Sequence, residues 1–154
     1  MFGLLLGTLL GTSPAIAEEV PSVEMVAQAE QAPVHVELLV IYATKEHNKQ
    51  DPKIQHLLKY FKNYAFTGYE LRDTHKTKLV EAQEHIFTLP QKAKVTVKIQ
   101  SYDDQNAKVH VKIRGEDGHN FLDAKMVVKR NGHFIVAGPK FEKGILILPM
   151  SLQY

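Results

Sequence analysis

Apolar and polar residues alternate strictly in two stretches near the middle of the chain, 94–101 and 107–114. A period of two predicts β-strands with one face on a core and the other in solvent. Turn-forming residues follow each stretch, and Asn131-Gly132 is the strongest hairpin signal in the chain. The pattern therefore predicts an antiparallel meander of four strands, at about 94–101, 107–114, 120–129 and 133–137.

Other segments extend this meander into a whole domain. The run at 34–43 predicts a strand with a middle buried on both faces. Asp51 and Pro52 predict the start of an amphipathic helix over 52–63, because Asp caps helices and Pro suits the first turn. Further strands are predicted at 67–75, 84–89 and 144–152. The expected fold is mainly β (α+β): an antiparallel β-sandwich or a partly open barrel of about eight strands, with one helix after the first strand.

The first 17 residues have the pattern of a secretory signal peptide. Residues 2–10 are mostly apolar but too few to cross a bilayer, which takes about 20 residues. The small-x-small sequence Ala15-Ile16-Ala17 follows and is typical of a signal peptidase site. A buried N-terminal helix is the structural alternative. The chain is thus expected to be exported to the periplasm or cell envelope.

Charge divides the chain into an acidic arm and a basic body. Residues 18–33 contain four Glu and no Lys or Arg, a composition that predicts a flexible arm. All 19 Lys and Arg lie from Lys45 onward, together with 12 of the 17 acidic residues. Residues 34–154 are therefore expected to form a single β-rich domain that attracts anionic partners. Nucleic acid is not expected, because the lysines are dispersed along strands and not clustered with aromatics.

The sequence lacks the motifs of several large enzyme classes. It contains no Cys, which excludes disulfides, thiolate nucleophiles and Cys-ligated metals. It has no nucleophile elbow, Walker A loop, G-x-G-x-x-G or H-E-x-x-H motif. The acidic pairs Asp103-Asp104 and Glu116-Asp117 fall in predicted turns, where turn formation explains them better than acid–base catalysis. No enzymatic activity, catalytic residue or cofactor is expected.

Two other residue sets remain as site candidates. The eight His are scattered with no H-x-H pair, so no metal site is expected. The weak metal candidates are His119 and His133, which could face each other across a predicted hairpin with Asp117 or Asp123 as a third ligand. An aromatic cluster spans the helix end and the next strand, and a helix-to-sheet core is the alternative to a ligand groove. The candidate binding residues are Tyr60, Tyr64, Phe66 and Tyr69 from this cluster, and the strand cations Lys98, Lys112 and Arg114.

Three segments also resemble a known group of proteins: residues 60–71 (YFKNYAFTGYEL), 127–136 (VVKRNGHFIV) and 138–148, from Gly138-Pro139 to Leu148. They are similar to an uncharacterised family of small secreted bacterial β-domain proteins with no assigned activity. The resemblance covers most of the body after residue 34. It implies an exported β-rich domain and no catalytic residues.

The expected function is that of a non-enzymatic envelope protein that binds or scaffolds. Its partner would be an envelope protein or an anionic envelope polymer, with peripheral outer-membrane association as a further option. An accessory subunit of an outer-membrane assembly, such as a secretion or pilus machine, is one alternative. Apolar residues at every second position up to Tyr154 favour another, a small outer-membrane β-barrel, although Pro149 and the charged helix argue against it.

Overall fold

Eight antiparallel strands and two 3₁₀ helices form the described part of the chain. The computed structural model describes Gly11 and residues 31–154, of which residues 32–154 form one compact unit. Apart from Gly11, the predicted signal peptide lies outside the described residues, as does nearly all of the predicted arm. The strands are β1 (Val34–Thr44), β2 (Gly68–Leu79), β3 (Glu84–Thr88), β4 (Lys94–Tyr102), β5 (Asn106–Arg114), β6 (Asn120–Lys129), β7 (His133–Phe141) and β8 (Gly144–Gln153). The 3₁₀ helices span Pro52–Tyr60 and Pro90–Lys92.

The strands form two sheets of four strands each. The first sheet has the order β2-β1-β8-β7 and the second has the order β3-β4-β5-β6. One hydrophobic core contains residues of both sheets, so the sheets pack face to face. This arrangement is a β-sandwich, which confirms the mainly β prediction and decides between the sandwich and the partly open barrel.

Alternation along the strands builds the core between the sheets. The valines and isoleucines of β4 and β5 are fully buried there, as the period of two predicts. The even-numbered residues of β1 and β8 face them from the first sheet. The alternating apolar residues near the chain end therefore lie in the sandwich core: Leu146, Leu148, Met150 and Leu152 are all fully buried.

The turn at Asn131-Gly132 does not close the predicted hairpin. Asn131 has a left-handed backbone (φ 55°) and the Gly132 N–H donates to the Lys129 carbonyl at 2.9 Å, so the turn itself forms. Its two strands nevertheless lie in different sheets, because β6 pairs with β5 and β7 pairs with β8. The predicted four-strand meander was wrong at this point: the chain crosses between the sheets here.

The first 3₁₀ helix packs on the outer face of the first sheet. Asp51 caps it by accepting a hydrogen bond from the Lys53 N–H at 3.0 Å, and Pro52 begins it, as predicted. The helix is shorter than the predicted 52–63 and has 3₁₀ geometry, with i→i−3 hydrogen bonds at both ends. Ile54, Leu57 and Phe61 enter a second core beneath it.

Candidate binding faces

The outer face of the second sheet carries a row of cations. The predicted candidates Lys98, Lys112 and Arg114 lie on this face, since their strand neighbours Val97, Val111 and Ile113 point into the core. The same alternation places further lysines of β4, β5 and β6 beside them. We call this surface the basic face; its cations are Lys94, Lys98, Lys108, Lys112, Arg114, Lys125 and Lys129.

Like charges lie next to each other on the basic face. Lys94 and Arg114 are direct cross-strand partners in the β4–β5 ladder, an arrangement that destabilises a sheet when no counter-charge is present. Across residues 31–154, none of the seven cations forms an ion pair with the protein. Lys94 and Arg114 also line a cleft of about 400 Å³ together with Lys92 and Glu116, and the single carboxylate there, Glu116, is paired with Lys92 at 3.3 Å. The face therefore has unsatisfied positive charge at its β4–β5 end.

Two carboxylates lie on the outer face of the second sheet: Glu84 of β3, opposite Lys98, and Asp123 of β6. Asp123 lies opposite Lys112 in the β5–β6 ladder and accepts a short hydrogen bond from Nε2 of His110. This hydrogen bond, with smaller help from nearby positive charge, holds the pKa of Asp123 below its usual range. Asp123 is thus hydrogen-bonded to an imidazole, while Lys112 and Lys125 act on it only through their charge.

The predicted aromatic candidates divide into a buried group and an exposed ring. Tyr69 is only 4% exposed, stacks on Phe61 with ring centroids 5.1 Å apart, and donates its hydroxyl to the Phe66 carbonyl at 3.2 Å. Burial is the main cause that raises the pKa of Tyr69. Tyr64 and Phe66 are half-buried against the same cluster. These three side chains form part of the helix-to-sheet core, which leaves Tyr60 as the accessible aromatic of the set.

Tyr60 lies at the end of the 3₁₀ helix, over the outer face of the first sheet. The residue is 41% exposed, and its ring contacts the His133 ring edge-on, with centroids 4.7 Å apart. The Lys59 ammonium lies 5.1 Å from the centre of the same ring. Tyr60 and His133 line a groove of about 290 Å³ that also contains Glu37 and Ser151.

A second groove continues along the same sheet face. It measures about 330 Å³ and lies over β2, β1 and β8. It shares Glu37 and Ser151 with the groove at Tyr60, so the two grooves meet at these residues. Sequence reasoning missed this surface. The available signal was the polar residues at alternate positions near the start of β1 and the end of β8: His35, Glu37, Ser151 and Gln153.

The two histidines considered for metal binding do not face each other. His119 lies in the β5–β6 connection with its ring 4.7 Å from that of Phe121, whereas His133 begins β7 in the other sheet. The predicted geometry depended on the hairpin that the structure replaces with a crossing between sheets. Within Gly11 and residues 31–154, no group of three or more His, Asp or Glu is placed to hold a metal ion.

The candidate catalytic acids of the sequence have structural contacts. Asp103 Oδ1 accepts the backbone N–H groups of Gln105 and Asn106, both at 2.8 Å, and these hydrogen bonds lower its pKa. Asp117 Oδ1 accepts the backbone N–H of His119 at 2.9 Å. Both carboxylates are exposed and hold turns, as the sequence predicts.

No family model, curated protein or solved structure matches this chain. Among the described residues, no helix has the length and apolar character needed to cross a membrane.

Proposed function

We propose that this chain is an exported, non-enzymatic binding module whose basic face holds an anionic polymer of the cell envelope. The observation that carries the proposal is the like-charged row on β4, β5 and β6, with Lys94 directly opposite Arg114. Such a row stores repulsion that an anionic ligand relieves. A polymer suits it because the cations repeat along and across three strands.

The placement of the acidic residues supports a non-enzymatic role. General acid–base catalysis needs carboxyl groups in a cleft where burial or a neighbouring charge adjusts the pKa toward neutrality. Asp103 and Asp123 instead have lowered pKa values and are exposed. They remain ionised at neutral pH and hold a turn and a histidine.

Export is the second part of the proposal and rests on the N-terminal sequence. The apolar run and Ala15-Ile16-Ala17 lead us to expect a mature chain that begins at Glu18. N-terminal sequencing of the protein from fractionated cells measures this directly. A cytoplasmic protein that retains Met1 would contradict the compartment while leaving the binding proposal open to its own test.

Binding is tested with long-chain polyphosphate and poly-glutamate as anionic polymer probes. We expect affinity to fall as salt rises from about 50 to 300 mM, because exposed charges are screened beyond a Debye length of roughly 10 Å at 0.1 M. Arg114→Glu and Lys112→Glu should weaken binding and flatten its salt dependence. Lys62→Glu, an equal charge change beyond the end of the 3₁₀ helix, is the matched control and should have little effect. Salt-independent binding, or equal losses in all three variants, would refute the basic face as the site.

A second candidate function is strand addition by an envelope protein, and the edge strand β6 favours it. The other sheet edges are blunted: β2 is bulged at Arg72, β3 has five residues and β7 contains Pro139. β6 is ten residues long and leaves Val127 65% exposed. Its lysines oppose free edge pairing, so the partner strand would need to be acidic. Capture of such a partner that is lost in Val127→Pro, but kept in Arg114→Glu, would favour this function over polymer binding.

A further inference from the structure

The outer face of the first sheet holds a continuous groove on the opposite side of the sandwich core from the basic face, with polar side chains set in a lining that is mostly apolar. The two grooves that meet at Glu37 and Ser151 follow β1 from His35 to Leu39, a distance of roughly 13 Å at strand geometry. Tyr60 lines the part of the groove beside the 3₁₀ helix. We call this surface the sheet groove; the residues that matter are His35, Glu37, Tyr60, His133, Ser151 and Gln153.

The groove presents hydrogen-bonding groups that the protein itself does not use. Within residues 31–154, the Ser151 hydroxyl and the side-chain amide of Gln153 form no hydrogen bond to another protein group. Glu37 is half-buried and pairs through Oε2 with Lys76 at 3.4 Å, which leaves Oε1 available. The groove therefore offers donors and acceptors at short intervals, beside an exposed aromatic ring.

We propose that the sheet groove binds a short neutral oligosaccharide. Sugar hydroxyls donate and accept at once, which matches a carboxylate, a hydroxyl and an amide placed along one floor. The C–H face of a sugar ring is apolar with a positive edge, and it suits the negative face of the Tyr60 ring. The groove length accommodates more than one ring, and its open shape suits a chain that extends past both ends.

Two other ligand classes fit this groove less well. A peptide added as a strand needs an unpaired edge, but the groove lies over the outer faces of β1 and β8, which are paired on both sides, and includes the edge strand β2 only at residues 76–78. Lys59, Lys76 and Lys78 also line the grooves, but Lys76 pairs with Glu37 and Lys59 lies against the Tyr60 ring, so an anion would still meet the Glu37 carboxylate that both grooves share. The central carboxylate thus distinguishes the ligand preference of this groove from that of the basic face, and a neutral ligand is the better match.

The test is calorimetric titration of the whole chain with chitotetraose, maltohexaose and cellohexaose. We expect at least one of them to bind, with an affinity that does not change between about 50 and 300 mM salt because the ligand is uncharged. Tyr60→Ala and Glu37→Gln should each weaken that binding by on the order of tenfold or more, as expected for central contacts. Tyr60→Phe, which keeps the ring, should retain most of the affinity.

Matched controls on the second sheet make the outcome decisive. The exposed fraction of Phe121, 45%, is similar to that of Tyr60, 41%. Glu84 lies on the outer face of β3 opposite Lys98. Phe121→Ala and Glu84→Gln should leave oligosaccharide binding unchanged. The proposal is overturned by an absence of binding to all three sugars at millimolar concentration, or by equal losses in the groove and control variants. Neither result depends on polymer binding by the basic face, which the charge reversals test separately.

Discussion

The outer faces of the two sheets share the same strand alternation but differ in what covers them. On the first sheet, Ile41 and Ile147 point outward and are fully buried beneath the 3₁₀ helix. On the second sheet, the outward positions include six lysines and an arginine, and Val127 remains 65% exposed. Outward apolar residues on a central strand therefore indicate a covering element, whereas outward charge indicates a face left open to solvent or a ligand.

The largest expected difference between the faces concerns their aromatic residues. Phe61→Ala should lower the free energy of unfolding by about 3–5 kcal/mol, because Phe61 is 1% exposed and a cavity would remain under the helix. Phe121→Ala, the same change at an exposed position of the second sheet, should cost about 0.5 kcal/mol or less. Equilibrium unfolding in guanidinium chloride measures both. Similar costs at the two positions would show that the helix is not docked on the first sheet.

Strand positions in both sheets were predictable because their signals are local. The alternation of Val109, Val111 and Ile113 defines β5 without reference to any other strand, and Asp51-Pro52 defines the helix start. Observed strand bounds accordingly lie within a few residues of the predicted ones. The continuous apolar run of β1 also predicted that this strand is buried on both faces.

The sheet assignment was not predictable because it depends on distant partners. After Asn131-Gly132 the chain pairs with β8, and the Leu152 N–H donates to the Gly132 carbonyl at 2.9 Å. Nothing near the turn encodes this partner. The sheet groove was missed for the same reason, since Glu37 and Ser151 become neighbours only when β1 pairs with β8.

A second prediction concerns how the covering helix is attached. Asp51 Oδ1 caps the helix at Lys53, and Oδ2 accepts the Leu71 N–H at 3.3 Å, beside the β2 bulge. Asp51→Ala should therefore lower the free energy of unfolding by about 1–2 kcal/mol, the upper range for an N-cap. Asp104→Ala, in an exposed turn next to the second sheet, is the control and should cost less than about 0.5 kcal/mol. Thermal and denaturant unfolding measure the change in both variants. Equal losses of unfolding free energy would contradict the role of Asp51 in attaching the helix.

On the basic face, a substitution is expected to raise the free energy of unfolding instead of lowering it. Arg114→Thr removes one of two directly opposed cations and should raise the free energy of unfolding by about 0.2–1 kcal/mol at low salt. Added salt should reduce the gain, since it screens the repulsion in the unsubstituted protein. The same substitution should weaken polyphosphate binding. A loss of stability at low salt would mean that Arg114 contributes to the fold, and the face would then need no ligand to explain it.

The smallest expected effect is the titration of Asp123, which lies among the cations of the basic face. The hydrogen bond from His110 lowers its pKa in the folded state, so the favourable contribution is present above the pKa of the unfolded chain and is lost as pH falls through the folded value. Carboxyl-carbon NMR should therefore give a midpoint for Asp123 below that of an ordinary aspartate. His110→Ala should move the midpoint upward, because the hydrogen bond is the largest cause of the shift. Lys125→Gln should move it less, since that lysine acts only through its charge. If Lys125→Gln moves the midpoint more than His110→Ala does, the charges of the lysines are the main partners of Asp123. The carboxylate would then neutralise part of the positive charge of the basic face.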